Sequence, residues 1–392
     1  MRIFLVVLDG FGIGEMPDAE LFDDVGSDTY GHIVESTGLM AETLVSLGLN
    51  NIEGVKNKIF ANGRQILPVK KPLASYGRLS EKTFAKDTTA GHYEIAGLVL
   101  DKPYKTYKKF PSEIVAKIEE KAKVKFIGNE VASGTEIINR LGVQHLISKC
   151  PILYTSQDSV MQIAADISVF SVERLYEICK IAREIMTGDY AVGRVIARPF
   201  THVGNVFTRT EDRRDFALEP PGKTLLDDLY ENGVNTIAVG KISDIFCGRG
   251  IRESIHTANN VEGIAALEKL TEKSCGFVFV NLVDTDMLYG HRNDVEGYAK
   301  AIKYFDERLS EILQKLREDD ILIITADHGC DPVTPSTDHS REYVPLLIYG
   351  KKMPAVDLGT INGFDCISYF IKQKFGLSEN SIINEKITEQ KI

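Results

Sequence analysis

The strongest constraint on this chain is the run Ile321-Leu322-Ile323-Ile324-Thr325-Ala326-Asp327-His328-Gly329. An apolar stretch of strand length delivers an acid and an imidazole side by side, and a glycine then lets the chain turn. Nearly continuous apolar strands belong to sheets covered by helices on both faces. The pattern recurs elsewhere. Ile3 to Leu8 ends on Asp9, and Phe277 to Val283 runs into Asp284, Asp286 and Gly290-His291. A second acid–imidazole doublet, Asp338-His339, follows the first. In open α/β sheets ligands bind beyond the carboxyl ends of the strands, which is where these acids fall. Three such strands with three histidines close by point to one metal cluster assembled from distant segments.

Asp9, Asp286, Asp327, His291, His328 and His339 supply carboxylates and imidazoles that could hold two divalent ions about 3.5–4 Å apart, spaced to clamp a phosphoryl group. Carboxylates also offset positive charge that imidazoles alone would leave unbalanced. Nitrogen and oxygen ligation without thiolate suits Mn²⁺ or Zn²⁺ better than Ca²⁺, and the Irving–Williams order leaves the ion in use open. Each residue alone has a duller reading, the Asp as a turn or cap and the His as a surface residue. The two doublets and Asp286-x-x-x-x-His291 make the combination specific. Asp284 reads as a support on the same face as Asp286, and Asp331 as a loop residue. A core of this kind would serve phosphatases, nucleases and mutases alike.

At 392 residues the chain is too long for one ordinary core. A net charge of −10 without any long basic tract argues against nucleic-acid binding, yet leaves room for a phosphorylated small molecule. The six cysteines are scattered with no C-x-x-C pair, as expected of reduced thiols. The first residues do not read as a signal peptide, and no stretch approaches the roughly 20 apolar residues of a membrane span. A cytoplasmic protein with no membrane partner is expected.

The turn Asp9-Gly10-Phe11-Gly12-Ile13-Gly14 has G-x-G-x-G spacing with no clear helix after it, so dinucleotide binding is set aside. Its glycines instead let backbone crowd the metal site. Residues 26–32 and 50–72 read as loops. From 101 to 217 the texture changes to short elements: a helix over 111–123, strands at 124–127, 151–155, 192–197 and 205–208, and an amphipathic helix along Val172, Leu175, Ile178, Ala182 and Ile185. Beyond 218 come a strand at 236–239, the strand at 277–283 and a helix over about 294–318 with a capping box at Asn293 and Glu296. The 321–326 strand and a last strand at 344–349 follow. The expected fold is α/β. A mostly parallel sheet covered by helices forms a discontinuous core, 1–100 and 218–392, and 101–217 form a smaller inserted α/β domain.

Several stretches carry a resemblance: Leu8-Asp9-Gly10, Lys86 to His92, Tyr154 to Ser159, Gly193 to Phe200, Asn205 to Thr210, Gly240 to Ile245, Asn281 to Asp294 and Thr325 to Tyr343. On these the chain resembles the alkaline-phosphatase superfamily and, within it, the pentose-phosphate mutases. The resemblance implies an alkaline-phosphatase-like core with the insert as a mobile cap. It implies Thr88 as a nucleophile carried as phosphothreonine. Asp9, Asp327 and His328 would bind the ion nearer Thr88, and Asp286, His291 and His339 the other. Arg194, Arg209 and Lys241 would lie near the distal phosphate, with Ser156 and Asp158 on sugar hydroxyls. The implied enzyme is an isomerase, an intramolecular phosphotransferase. It would interconvert ribose 1-phosphate, or 2-deoxyribose 1-phosphate, with the 5-phosphate through a 1,5-bisphosphate.

Mn²⁺ is the expected ion, and a sugar bisphosphate (ribose 1,5-bisphosphate or glucose 1,6-bisphosphate) the expected activator. The partner is the pentose phosphate, and oligomeric state is left open. Gly10 stands where a small polar residue such as Ser is expected, and Cys330 where Asn is usual; neither is a ligand position. The bland alternatives are a loop role for Thr88 and ordinary ion pairs for Arg194 and Arg209. Cofactor-independent phosphoglycerate mutase shares the core but uses a serine after Asn, whereas Thr88 follows Lys86-Asp87. A plain metal phosphatase is a second rival. A non-enzymatic metal protein would need no nucleophile facing the cluster.

Overall fold

The computed structural model describes residues 1–102, 104–156, 159–273, 276–378 and 380–389. Strands β1 (Ile3–Leu8) and β2 (Ser75–Ser80) come first. Then follow β3 (Ile127–Val131), β4 (Ile152–Thr155), β5 (Val160–Asp166), β6 (Arg194–Val203), β7 (Val206–Arg209) and β8 (Arg214–Ala217). The last are β9 (Thr236–Val239), β10 (Glu253–Ile255), β11 (Phe277–Leu282), β12 (Ile321–Thr325), β13 (Val344–Tyr349) and β14 (Asp357–Asn362). The chain divides into two compact units, Met1–Pro103 with Pro220–Ile392, and Tyr104–Glu219.

The first unit is built on an eight-stranded sheet of order β10-β9-β11-β1-β12-β13-β2-β14. It is parallel except at β13, which runs antiparallel to both neighbours. β1 lies between β11 and β12, with Leu8 paired to Leu282 and Val7 to Thr325. Every residue of these three strands is buried, as their unbroken apolar sequences require. Their carboxyl ends therefore open side by side on one edge, which brings Asp9, the chain after Leu282 and Asp327-His328 together.

The helix Val295–Lys315 buries Tyr298, Ile302, Phe305, Leu309 and Ile312 at helical spacing. Its cap is one residue later than expected. Asn293 takes a left-handed φ of 52°, and Asp294 accepts the hydrogen bond from Gly297 N instead. Residues 29–37 form a helix capped by Asp28, not a loop. β2 and β14 escape the apolar signature: β2 is SYGRLS and alternates buried with half-buried residues. Gly77 lets these strands approach, since a Cβ there would come 2.6 Å from the Gly359 carbonyl oxygen. β13 is therefore not the last strand.

The second unit carries a sheet of order β3-β4-β5-β6-β7, with β8 paired to β6. The helices Ser112–Ala122 and Val172–Ile185 pack Ile114, Ile118, Leu175, Ile178 and Ala182 against it. β3 begins at Ile127, not at Val124. Lys123 turns left-handed, and Glu119 takes the Val124 and Phe126 amides on its carbonyl and carboxylate, so 124–126 finish the helix. β5, all buried, lacked a strand signature because Gln162, Ala164 and Ala165 dilute it. β6 continues past Ala197 through Pro199 to Val203. No disulfide joins the described cysteines, and Cys275 lies outside the described residues. Among the described residues no helix is long and apolar enough to cross a membrane.

Candidate metal centre and nucleophile

Asp9 leaves β1 with both oxygens buried. Oδ2 accepts from Asn281 Nδ2 at 2.6 Å, and the main-chain oxygen accepts from Thr285 Oγ1 at 2.7 Å. Asp327, just past β12, accepts from Gly10 N at 3.2 Å on Oδ1. Asp286 lies in a π-helical turn, Thr285–Tyr289, immediately beyond β11. Such single turns re-aim side chains that a regular strand or helix would point elsewhere. Asp9 Oδ1, Asp286 Oδ1 and Asp327 Oδ2 are buried and take no hydrogen bond from an amide or hydroxyl; imidazole nitrogens are what approach them.

The imidazoles face these oxygens. His328 Nδ1 lies 3.0 Å from the Gly329 carbonyl, and His291 Nδ1 lies 2.7 Å from that of Thr337. A carbonyl only accepts, so in the neutral rings Nδ1 keeps the proton and Nε2 presents its lone pair. His328 Nε2 lies 3.5 Å from Asp9 Oδ1 and 3.3 Å from Asp327 Oδ2. His291 Nε2 and His339 Nε2 lie 3.4 and 3.3 Å from the Asp286 oxygens. The ring centroids of His328 and His339 are 4.0 Å apart, and those of His291 and His339 4.7 Å. Ligand atoms of Asp9, Asp327 and His328 all fall within 4.8 Å of one another, as do those of Asp286, His328 and His339. The structure thus brings together all six residues that the sequence singled out.

The electrostatics show what the site lacks. Burial pushes the Asp9 carboxyl well above its usual range, and the charges of Asp327 and Asp286 push it further. Burial acts on Asp286 in the same direction but is outweighed by His339, His291 and His328, which hold it well below. Burial lowers the His328 imidazole, against the pull of Asp327. Buried carboxylates with unsatisfied oxygens and imidazole lone pairs aimed among them are short of positive charge. These residues fit divalent cations.

Thr88 is the first residue of the helix Thr88–Ile95, whose cap Asp87 accepts from the Thr89 and Ala90 amides. Its Oγ1 stands 3.1 Å from His328 Nε2. The helix reaches this depth because residue 91 is glycine: a Cβ there would lie 2.2 Å from the Asp327 carbonyl oxygen. Gly10 plays a similar part, with φ at 77° and a Cβ position 2.9 Å from Cys330 Cβ.

Several residues of this site went unread in the sequence. His92, one helical turn from Thr88, is wholly buried; its Nδ1 lies 2.8 Å from the Thr88 carbonyl and 3.0 Å from Asp327 Oδ2. Its Nε2 is 3.2 Å from Asn281 Nδ2. A lone polar Asn281 inside an apolar strand was the available signal. Cys330 groups with Asp286 and His291 within the same 4.8 Å, and burial, with Asp286 beside it, pushes its thiol well up. Asp284 turns away to the start of the helix Asn260–Glu272, accepting from Asn260 N at 2.7 Å. Asp331 is a buried acceptor for Asp28 N and His32 Nδ1, more than a loop residue.

Lys241, just beyond β9, points its Nζ at Met287 Sδ, 3.5 Å away. Ser156, Arg194 and Arg209 belong to the second unit. There Arg194 Nη1 lies 3.3 Å from Asp215 Oδ2, and Arg209 donates to Thr135 Oγ1. Asp158 lies outside the described residues.

A buried carboxylate and imidazole set at the carboxyl edge of a largely parallel sheet defines a metal-dependent α/β enzyme core. Residues 1–379 match the model of the Metalloenzyme superfamily, and the chain belongs to it, with an alkaline-phosphatase-like fold. Within that superfamily it falls among the phosphopentomutases, isomerases of the phosphotransferase kind. It is 54% identical to the phosphopentomutase of Caldanaerobacter subterraneus subsp. tengcongensis, over 90% of this chain and 88% of the relative. It is 53% identical to that of Acetivibrio thermocellus, over 97% of both chains. The solved structure of PH0037 protein from Pyrococcus horikoshii aligns over 97% of this chain and 98% of its own, at TM-score 0.49 and 16% identity.

Proposed function

We propose that the chain interconverts ribose 1-phosphate and 2-deoxyribose 1-phosphate with the corresponding 5-phosphates, through a phosphoryl group carried on Thr88. The observation that carries this reading is the hydroxyl of Thr88 at 3.1 Å from His328 Nε2, on the rim of the buried carboxylates. Family membership at about half identity over nearly the full chain supports the substrate class.

Thr88 sits at a helix N-terminus, where the helix dipole favours the negative charge of a phosphothreonine. The sugar's free hydroxyl attacks phosphorus as the bond from phosphorus to Thr88 Oγ1 breaks. The hydroxyl proton and the phosphoryl group thereby change places, leaving a 1,5-bisphosphate. After the sugar turns over, the other phosphate returns to Thr88 by the reverse exchange. Two divalent ions, Mn²⁺ for preference, would be held by Asp9, Asp327 and His328 and by Asp286, His291 and His339, and would supply Lewis-acid stabilisation of charge on the transferring group. His92 and Asn281 hold Asp9, Asp327 and the Thr88 carbonyl in place. Ser156 and Asp158 are assigned to sugar hydroxyls, and Arg194, Arg209 and Lys241 to the distal phosphate, where planar guanidinium forks suit a dianion. The insert that carries four of these is assigned the part of a cap that excludes water. A sugar bisphosphate serves as activator by charging Thr88. A cytoplasmic setting is assigned on the scattered cysteines, which suit a reducing compartment.

The test is to give manganese-loaded protein ribose 1-phosphate and, separately, 3-phosphoglycerate, each with a trace of sugar bisphosphate. Exchange of pentose isomers without phosphate release is the expected result. Fast phosphate release without isomerisation would replace the mutase reading with a phosphatase, and isomerisation of 3-phosphoglycerate would replace the substrate.

A further inference from the structure

Residues 81–85 lead from β2 to the helix that bears Thr88 and form neither helix nor strand. Their backbone is nevertheless held from two sides. Arg341, buried two residues after His339, donates from Nη1 to the carbonyls of Thr83 (2.8 Å) and Ala85 (2.6 Å) and to Glu81 Oε2 (2.6 Å). Its Nη2 donates to the Glu81 carbonyl at 3.0 Å. Asp18 holds the far edge of the guanidinium at 3.0–3.2 Å. Glu94, buried on the helix of Thr88, accepts from the other direction. Its Oε1 takes Lys82 N at 2.8 Å and Phe364 N at 2.9 Å. Its Oε2 takes both the amide and the hydroxyl of Thr83 at 2.7 Å.

One guanidinium therefore fixes three main-chain carbonyls, and one carboxylate fixes two main-chain amides, within a five-residue stretch. A planar fork with its donors in a set geometry can do this, whereas an ammonium cannot. The remaining link is tied as well: Lys86 Nζ lies 3.0 Å from Asp24 Oδ2, which also accepts from Arg341 N at 2.9 Å.

We propose that Arg341 and Glu94 are positioning residues for Thr88, forming a clamp on residues 81–85 that sets where the nucleophile's helix begins relative to the loop of His339. The proposal rests on Thr88 being the nucleophile. Neither side chain needs to touch the substrate. Each acts through the path of the chain, and displacement of a reacting group by about 1 Å is enough to cost about a hundredfold in rate.

The experiment uses full-length, manganese-loaded Arg341→Lys and Glu94→Gln variants. Both are expected to lose about a hundredfold in kcat with KM changed less than about twofold, the pattern of lost transition-state alignment. Metal content per chain should equal that of the parent, and the phosphorylated Thr88 peptide should still form, more slowly. An unaltered kcat per folded molecule, or a loss confined to KM, overturns the clamp. Because both sites are buried, hydrogen exchange on the unsubstituted protein gives a reading that needs no variant to fold. The Lys82 and Thr83 amides should be as protected as those of the helix Thr88–Ile95, and exchange at open-loop rates overturns the clamp. A failure of the nucleophile reading looks different, since the parent protein itself would then yield no phosphorylated Thr88.

Discussion

Thr88 Oγ1 and His328 Nε2 stand 3.1 Å apart across 240 residues of sequence. With the His328 Nδ1 proton directed at the Gly329 carbonyl, Nε2 is an acceptor and the threonine hydroxyl is the donor between them. The contact exists because Gly91 lets the helix of Thr88 pack against Asp327, the residue before His328.

Replacing Thr88 with valine keeps the side-chain shape and removes the oxygen. Thr88→Val is expected to lower kcat by at least about a thousandfold and to abolish the phosphoenzyme, with metal content nearly unchanged. Elemental analysis and steady-state kinetics check it, and surviving turnover would move the nucleophile elsewhere.

Gly91→Ala tests the close approach. The new methyl would overlap the Asp327 carbonyl oxygen, so the helix must shift away from the metal centre. Overpacking of this kind costs about 1–3 kcal/mol. Melting temperature and kcat should fall together, and an unperturbed kcat would mean the helix has more room than its packing shows.

Removal of divalent ions by a chelator should destabilise the first unit as well as stop catalysis. Asp9, Asp286 and Asp327 would be left crowded, buried and short of positive charge. Ions at a thousand times their dissociation constant contribute about 4 kcal/mol by linkage. Calorimetry should show a lower melting temperature that Mn²⁺ restores, and an unchanged melting curve would contradict the site.

The second unit should have its own acid sensitivity. His145 is buried, donates from Nδ1 to the Cys150 carbonyl at 2.7 Å and accepts on Nε2 from Asp166 N at 3.0 Å. Burial lowers this imidazole, only partly opposed by the Cys150 carbonyl. Since its folded pKa lies below the unfolded one, the unfolded chain binds the proton first as pH falls. Stability is therefore lost as pH drops below about 6.5, by at most about 1.4 kcal/mol per pH unit. The protection factor of the Asp166 amide should fall over that range and do so less in His145→Gln; a pH-independent protection factor would contradict the assignment.

The convergence of the acids and imidazoles of the candidate centre was legible in the sequence because apolar strands announce themselves, and whatever follows them must sit at one edge of the sheet. Asp9, Asp327 and His328 needed nothing more. His92 and Asn281 were not legible, because their roles depend on a helix packed through Gly91 and on which strand lies beside β1. Asp284 illustrates the converse. Strand alternation placed it with Asp286, but the π-helical turn breaks that period and sends it to Asn260. β2 and β14 were hidden because glycine, serine and arginine carry no apolar alternation, and their pairing is decided by neighbours far along the chain. Arg341 had no local signal at all, since what it binds is backbone.

The most direct measurement is on the unsubstituted protein. Manganese-loaded chain is mixed with sugar bisphosphate, quenched in acid and digested, and the phosphorylated peptide is located by mass spectrometry. The account predicts a single phosphoryl group on Thr88 that disappears when excess ribose 5-phosphate is added before the quench. A phosphoryl group on another residue, or full isomerase turnover with none trapped on Thr88, would contradict it.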